Sequence, residues 1–244
     1  MTRPTFTSNS TVGSIVAYDM RTAPVFTLHG IDFCCKGSRT VEEACRARNL
    51  APDVLLCEIN EALSRSGRPG VDHASWSLTQ LIEHIEQAHH AYVNEHLPII
   101  QQYLHKLRHV HGALHPELHA IAEEFDGCTG ALTAHMKKEE LVLFPYIEQL
   151  ENAQATGTFP GTPHFGTVGN PVRLMEAEHD AEGERFRWIA ELSHGYAVPA
   201  DGCATYAAAM RLLKDFEEDL HLHIHLENNI LFPRALRMEQ EMRG

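Results

Sequence analysis

The chain has 244 residues, enough for one good-sized core and a smaller domain, and its 33 acidic against 20 basic residues give a formal charge of -13. That balance excludes nucleic acid and anionic membrane surfaces as partners, because both select a basic face. No apolar run reaches the roughly 18–20 residues of a membrane span, and the opening residues lack an export signal's charged start and apolar stretch. A cytoplasmic protein is the expectation.

From Thr11 to about Arg65, short helical patterns (Val12, Ile15, Val16, then Val54, Leu55, Ile59, Leu63) are separated by His29-Gly30 and Lys36-Gly37-Ser38. They predict a small helical domain over residues 11–66. The chain's six cysteines (Cys34, Cys35, Cys45, Cys57, Cys128, Cys203) show no CxxC pair and no regular framework, which suits a reducing compartment. Adjacent cysteines rarely form a relaxed disulfide with each other, so Cys34-Cys35 reads either as two small buried residues or as a redox or iron-handling pair. Ser66-Gly67-Arg68-Pro69-Gly70 then interrupts any helix and marks the domain boundary.

Beyond the boundary, Leu78, Leu81, Ile82, Ile85, Ala88, Tyr92 and Val93, then Ile99, Tyr103, Leu104 and Leu107, recur at three- and four-residue steps. They predict a first long helix from Ser77 to His111, with Pro98 as a point where it can kink. Further helices are expected at about 117–151, 171–194 and 204–237, and the Gly/Pro-rich stretch from Gly157 to Asn170 is a long loop between the second and third. Without strand alternation anywhere, the fold class is all-α: a four-helix bundle over residues 77–238 preceded by the small helical domain.

The second and fourth of these helices carry matching segments, HMKKEELVLFP from His135 and HIHLENNILFP from His223. Each has a histidine, a glutamate four residues on, and Leu-Phe-Pro after the same interval. Upstream, AHHA beside AEHD pairs His90 with His179, which precede His135 and His223 by 45 and 44 residues. Each half therefore repeats the order His, then His-x-x-x-Glu. The four-residue spacing puts His135 with Glu139, and His223 with Glu227, on one side of each helix. Imidazoles bind one ion each and a carboxylate can bridge two, so His90, His135, Glu139, His179, His223 and Glu227 suit a dinuclear centre of iron or a similar metal. Two histidines per ion, two bridging carboxylates and a solvent-derived bridge leave about one position open on each ion. Ligand type alone does not separate iron from manganese.

The chain holds 18 histidines, too many for all to bind metal. His221 and His225 sit about 160–200° around the helix from His223 and are expected on a solvated face. His105, His109, His115 and His119 are expected as polar surface. Asp180, beside His179, either orients an imidazole or faces solvent. The repeated Leu-Phe-Pro reads as core packing and helix termination.

Together with GIDFCCKGSRT (Gly30 to Thr40), HMKKEELVLFP, EAEHDAEG (Glu176 to Gly183) and HLENNILFPRAL (His225 to Leu236), most of the chain resembles the iron–sulfur cluster repair di-iron proteins, a hemerythrin-like family. The resemblance implies two non-haem iron ions on the six residues above, bridged by Glu139 and Glu227. His89 is the alternative to His90, and a histidine matching His111 also occurs in the family, although helix rise separates it from His90 by roughly 30 Å. The implied function is repair of iron–sulfur clusters damaged by nitric oxide or oxidants, through iron supply or nitric oxide chemistry at the open positions. Cys34 and Cys35 are then catalytic thiols that shuttle electrons or iron, with Lys36 lowering a thiol pKa. Nitric oxide or O2 is the implied small ligand and damaged iron–sulfur proteins are the clients, acting with a monomer or a homodimer. Two other readings stay open: a carrier that buffers nitric oxide or O2, and an oxidoreductase that reduces nitrogen oxides.

Overall fold

The structure is a computed structural model that describes residues 5–64, 71–158 and 160–243. The Ser66–Gly70 segment expected as the boundary lies outside the described residues. Helices dominate, and among the described residues the extended pairing is a single isolated bridge between Thr11 and Thr40. Chain contacts divide the molecule into two compact units, one of residues 1–81 with 222–244 and one of residues 82–221.

The first unit contains α1 (Val12–Tyr18), α2 (Ala23–Leu28), α3 (Val41–Arg46) and α4 (Pro52–Ser64). Thr11 caps α1 by accepting the Ser14 amide, and α3 starts with a capping box in which the Thr40 side chain accepts the Glu43 amide while the Glu43 carboxylate accepts the Thr40 amide. Such caps satisfy amides that a short helix cannot pair internally. Val12, Ile15, Val16, Phe26, Val41, Leu55 and Ile59 are buried as its core. The later residues of this unit end in α11 (Phe232–Arg243).

The second unit is a helical bundle. The chain enters it within α5 (Leu78–His84), passes a π-helical turn at Ile85–His90 and continues as α6 (Ala91–His111). Next come α7 (Glu117–Lys138), a π turn at Glu139–Leu143, α8 (Phe144–Thr156), α9 (Gly169–Leu192) and α10 (Ala204–Leu226), which runs past residue 221. Four aromatic rings, one from each long helix, tie the bundle together: Phe216 of α10 lies 5.6 Å from both Phe125 of α7 and Phe186 of α9, and 6.1 Å from Tyr92 of α6. Edge and stacked pairs of this kind add to area burial. α6 runs through Pro98, whose missing amide bond is outweighed by the buried apolar face of Leu97, Ile100, Leu104 and Leu107 on either side.

The sequence reading of Leu-Phe-Pro as a helix stop is corrected. Leu143, Phe144, Leu231 and Phe232 are buried, but α8 and α11 continue through Pro145 and Pro233 to Thr156 and Arg243. Each proline lies two residues past the end of a π turn, where the amide of Phe144 bonds the Glu139 carbonyl and the amide of Phe232 bonds the Glu227 carbonyl, five residues back. The switch from five-residue to four-residue bonding is where a residue without an N–H costs least.

Candidate metal centre

Among the described residues, all three π turns meet the candidate ligands: the first ends on His90, the second starts on Glu139 and the third starts on Glu227. Single π turns within α-helices gather at functional positions because they re-aim side chains that a regular helix would rotate away. The six candidate residues are between 0 and 3% exposed, so both glutamates sit where a carboxylate is costly unless a cation or donors compensate it.

In the unit of residues 82–221, four candidates converge. Glu139 Oε2 is 3.4 Å from His90 Nε2, Glu139 Oε1 is 3.3 Å from His135 Nε2, and His135 Nε2 is 3.0 Å from His179 Nε2. Imidazole nitrogens and carboxylate oxygens of three helices thus face one small volume. His89, the alternative to His90, is also buried but turns its Nδ1 to Asp219 at 3.0 Å.

Two residues that the sequence reading passed over hold the outer nitrogens of these rings. His90 Nδ1 donates to Glu140 Oε1 at 3.1 Å, and His135 Nδ1 donates to Glu178 Oε2 at 2.8 Å. Burial pushes the Glu140 carboxyl up, but the Lys137 ammonium and the His90 ring outweigh it and leave it below the usual carboxylate range. Glu178 is likewise pushed up by burial and brought below its usual value by Lys138 and His135. Two carboxylates charged at neutral pH therefore fix the proton on each Nδ1 and leave Nε2 with its lone pair facing inward, the tautomer a metal ligand needs. Asp180, the acceptor considered from sequence, is exposed. Each true acceptor is the chain neighbour of one candidate ligand and serves the histidine of another helix.

The unit of residues 1–81 and 222–244 carries the other two candidates and the cysteines. His223 Nε2 is 3.1 Å from Glu227 Oε1. Two residues beyond Glu227, Asn229 donates from Nδ2 to the carbonyls of Cys34 at 2.9 Å and Phe33 at 3.3 Å. The Cys34 and Cys35 sulfurs are 3.8 Å apart as free thiols, and Asp32 Oδ1 accepts the Cys35 amide at 2.9 Å. The sulfurs and Asp32 form a compact group of potential ligands. The expectation that Lys36 lowers a thiol pKa fails at Cys34: its thiol is pushed up by the hydrogen bond with Cys35 and by burial, while Lys36 itself is exposed.

Among the other histidines, the reading of His225 as solvated is overturned. It is fully buried, its ring is 5.7 Å from Phe33, its Nδ1 lies 3.2 Å from Asn229 Nδ2, and burial pushes it down to about 4, so it is neutral. The covering by the segment around Phe33 has no signature in the helix's own periodicity. His221 is partly exposed. His105 is an exposed partner of Asp126 at 2.9 Å, His109 and His119 are exposed, and His115 bonds Glu117 and Asp201. His111 ends α6 with its Nε2 3.2 Å from Cys203 Sγ.

The donor chemistry fits iron: buried imidazole nitrogens with oriented tautomers beside buried carboxylates are ligands for a borderline, nitrogen- and oxygen-binding divalent ion. Comparison with known proteins agrees with the geometry. The Hemerythrin HHE cation binding domain matches residues 81–235, and a domain of unknown function, DUF542, matches residues 8–63. The chain is 35% identical over 231 residues to proteins named iron-sulfur cluster repair protein YtfE from Yersinia pestis (strain Pestoides F) and Yersinia pseudotuberculosis serotype O:1b (strain IP 31758). Each alignment covers 95% of this chain and 98% of the relative.

Proposed function

The chain belongs to the hemerythrin-like family of iron–sulfur cluster repair proteins, and from that membership we propose that it repairs iron–sulfur clusters damaged by nitric oxide or oxidants, using a pair of iron ions. The observation that carries the reading is the buried donor set in two halves, each with the order His, then His-x-x-x-Glu. His90, His135 and Glu139 supply the first half's side chains, and His179, His223 and Glu227 supply those of the second. Glu139 and Glu227 would hold the iron pair as shared carboxylates. The iron pair, when bound, supplies open positions for a small ligand such as nitric oxide or O2, and iron that can be passed on.

The chain's own residues do the rest. Glu140 and Glu178 hold the His90 and His135 rings in the ligating tautomer and add negative charge that favours a divalent cation. Cys34 and Cys35 are the thiols of the small domain, taken as residues 11–66, that handle electrons or iron for the bundle, taken as residues 77–238. Their loop is held by Asn229, on the same turn as Glu227, so the thiols and one bridging ligand share a rigid support. The work takes place in the cytoplasm on damaged iron–sulfur proteins, and among the described residues no helix is long and apolar enough to cross a membrane.

The first measurement is iron per chain in protein purified without a metal-binding tag. About two irons are expected, with a sharp fall in Glu139→Ala and Glu227→Ala and no change in His221→Ala; equal loss in all three sinks the ligand assignment. Reactivation of an iron–sulfur enzyme with a nitric oxide-damaged cluster should then need the iron-loaded protein and both Cys34 and Cys35. Full protection by Cys34→Ser with Cys35→Ser would favour a plain carrier of the small ligand.

A further inference from the structure

A second group of titratable and nucleophilic side chains lies within residues 82–221, where α6 ends and α10 begins. Cys203 is exposed, immediately precedes Ala204 at the start of α10, and its Sγ is 3.2 Å from His111 Nε2. The backbone amides of Tyr206 and Thr205, in the first turn of the 23-residue α10, also bond the sulfur. A helix N-terminus and an imidazole donor both stabilise negative charge on sulfur.

The surroundings hold the pair in place. The Tyr206 ring packs edge-on against His111 and His115, each at 5.7 Å, and His115 is fixed by Glu117 and Asp201 at 3.1 Å. The groups around the thiol are thus His111 from α6, His115 from the α6–α7 connection, Glu117 from the first turn of α7, Asp201 from the α9–α10 connection, and Tyr206 from α10. The two acidic groups are engaged by His115, which leaves His111 to the sulfur. The hydrogen bond from the Tyr206 amide, then that from His111, bring the Cys203 thiol down to about 7. A thiol with a pKa near the ambient pH is the best attacking group in disulfide exchange, since it combines a large thiolate fraction with retained nucleophilicity.

We propose that Cys203 and His111 form a thiolate–imidazole pair that is a site of reversible modification by low-molecular-weight disulfides. The Cys203 thiolate attacks one sulfur of the disulfide R–S–S–R, a new S–S bond forms to give Cys203–S–S–R, and the S–S bond of the incoming disulfide breaks. The second sulfur leaves with the bonding electrons as a thiolate and takes a proton from solvent. The Cys203 sulfur is oxidised to the disulfide level, the leaving sulfur is reduced, and a small thiol reverses the exchange. The net charge of -13 favours a cationic disulfide. Nothing in this chemistry uses the metal centre.

The chain contains its own control. Cys57 is also exposed, but it lies in the middle of α4 rather than at a helix N-terminus, and its Sγ is 3.9 Å from Glu61 Oε1 rather than beside an imidazole.

Fully reduced, full-length protein exposed to limiting cystamine should carry the adduct on Cys203 before Cys57, read by peptide mass mapping. The rate at Cys203 should rise through an inflection near pH 7. His111→Ala should slow the reaction about three- to fourfold at pH 7 and speed it by a similar factor at pH 9, because its thiol ionises later but yields a stronger nucleophile. A merely structural role for His111 moves the rate without this reversal. Equal reaction of Cys57 and Cys203 in the unaltered chain, or the same pH profile in His111→Ala, overturns the proposal. The comparison of the two cysteines needs no variant, so the test survives a variant that folds poorly.

Discussion

At the scale of single residues, the orienting carboxylates are the feature that sequence alone does not expose. Glu140 and Glu178 are next-door neighbours of Glu139 and His179, and a step of one residue turns a side chain by about 100° around a helix. Each therefore leaves its own ligand's direction and reaches the histidine of the adjacent helix, a pairing set only by how the helices pack. The six candidate ligands were legible because a repeated His-x-x-x-Glu is a local pattern; their supports are not local. Glu178→Gln should bind ferrous iron about 10–100-fold more weakly in competition with a chelator while keeping its helical circular dichroism. Away from the centre, burial raises the Glu217 carboxyl, which accepts a hydrogen bond from the Tyr196 hydroxyl at 2.9 Å. A carboxyl raised in the folded state keeps its proton better there, so the stability it allows at low pH is lost as pH climbs from the unfolded value through the higher folded one. Glu217→Gln retains an acceptor for Tyr196 and should melt higher than the parent at pH 7, with the gain vanishing near pH 4; a gain that persists at pH 4 rejects this origin.

At the scale of elements, hydrophobic periodicity located the long helices because each buries one continuous face, as Leu97, Ile100, Leu104 and Leu107 do. It did not reveal the π turns, since five-residue bonding over one turn barely disturbs an apolar pattern. The Leu-Phe-Pro repeats were their trace, and the prolines mark a change of bonding rather than an end. The turn at Glu227–Leu231 also reaches the cysteine loop through Asn229, which requires glycine on both sides: a Cβ at Gly37 would lie 2.2 Å from Asn229 Oδ1 and 2.6 Å from the Phe33 carbonyl oxygen, and one at Gly13 would lie 2.3 Å from Asn229 Oδ1. Gly37→Ala should cost about 1–3 kcal/mol in denaturant unfolding through this overpacking. Asn229→Ala removes two hydrogen bonds worth about 1 kcal/mol each. Alkylation of the buried Cys34 by iodoacetamide should then speed up by about tenfold or more, and an unchanged rate would show that the loop holds itself.

At the scale of the whole molecule, the first compact unit is assembled from residues 1–81 and 222–244, an arrangement no local pattern announces. The carbonyl of Phe33 meets its donor Asn229 across a separation of 196 positions. On a ribosome adding about 5–20 residues per second, that separation corresponds to roughly 10–40 s between synthesis of the cysteine loop and arrival of the turn that clasps it. Throughout that interval Cys34 and Cys35 are thiols on a growing chain whose protective partner does not yet exist. Stalled ribosome-bound chains ending before residue 222 should accordingly be alkylated at Cys34 far faster than completed protein. A cell under oxidants would then risk this protein most while making it.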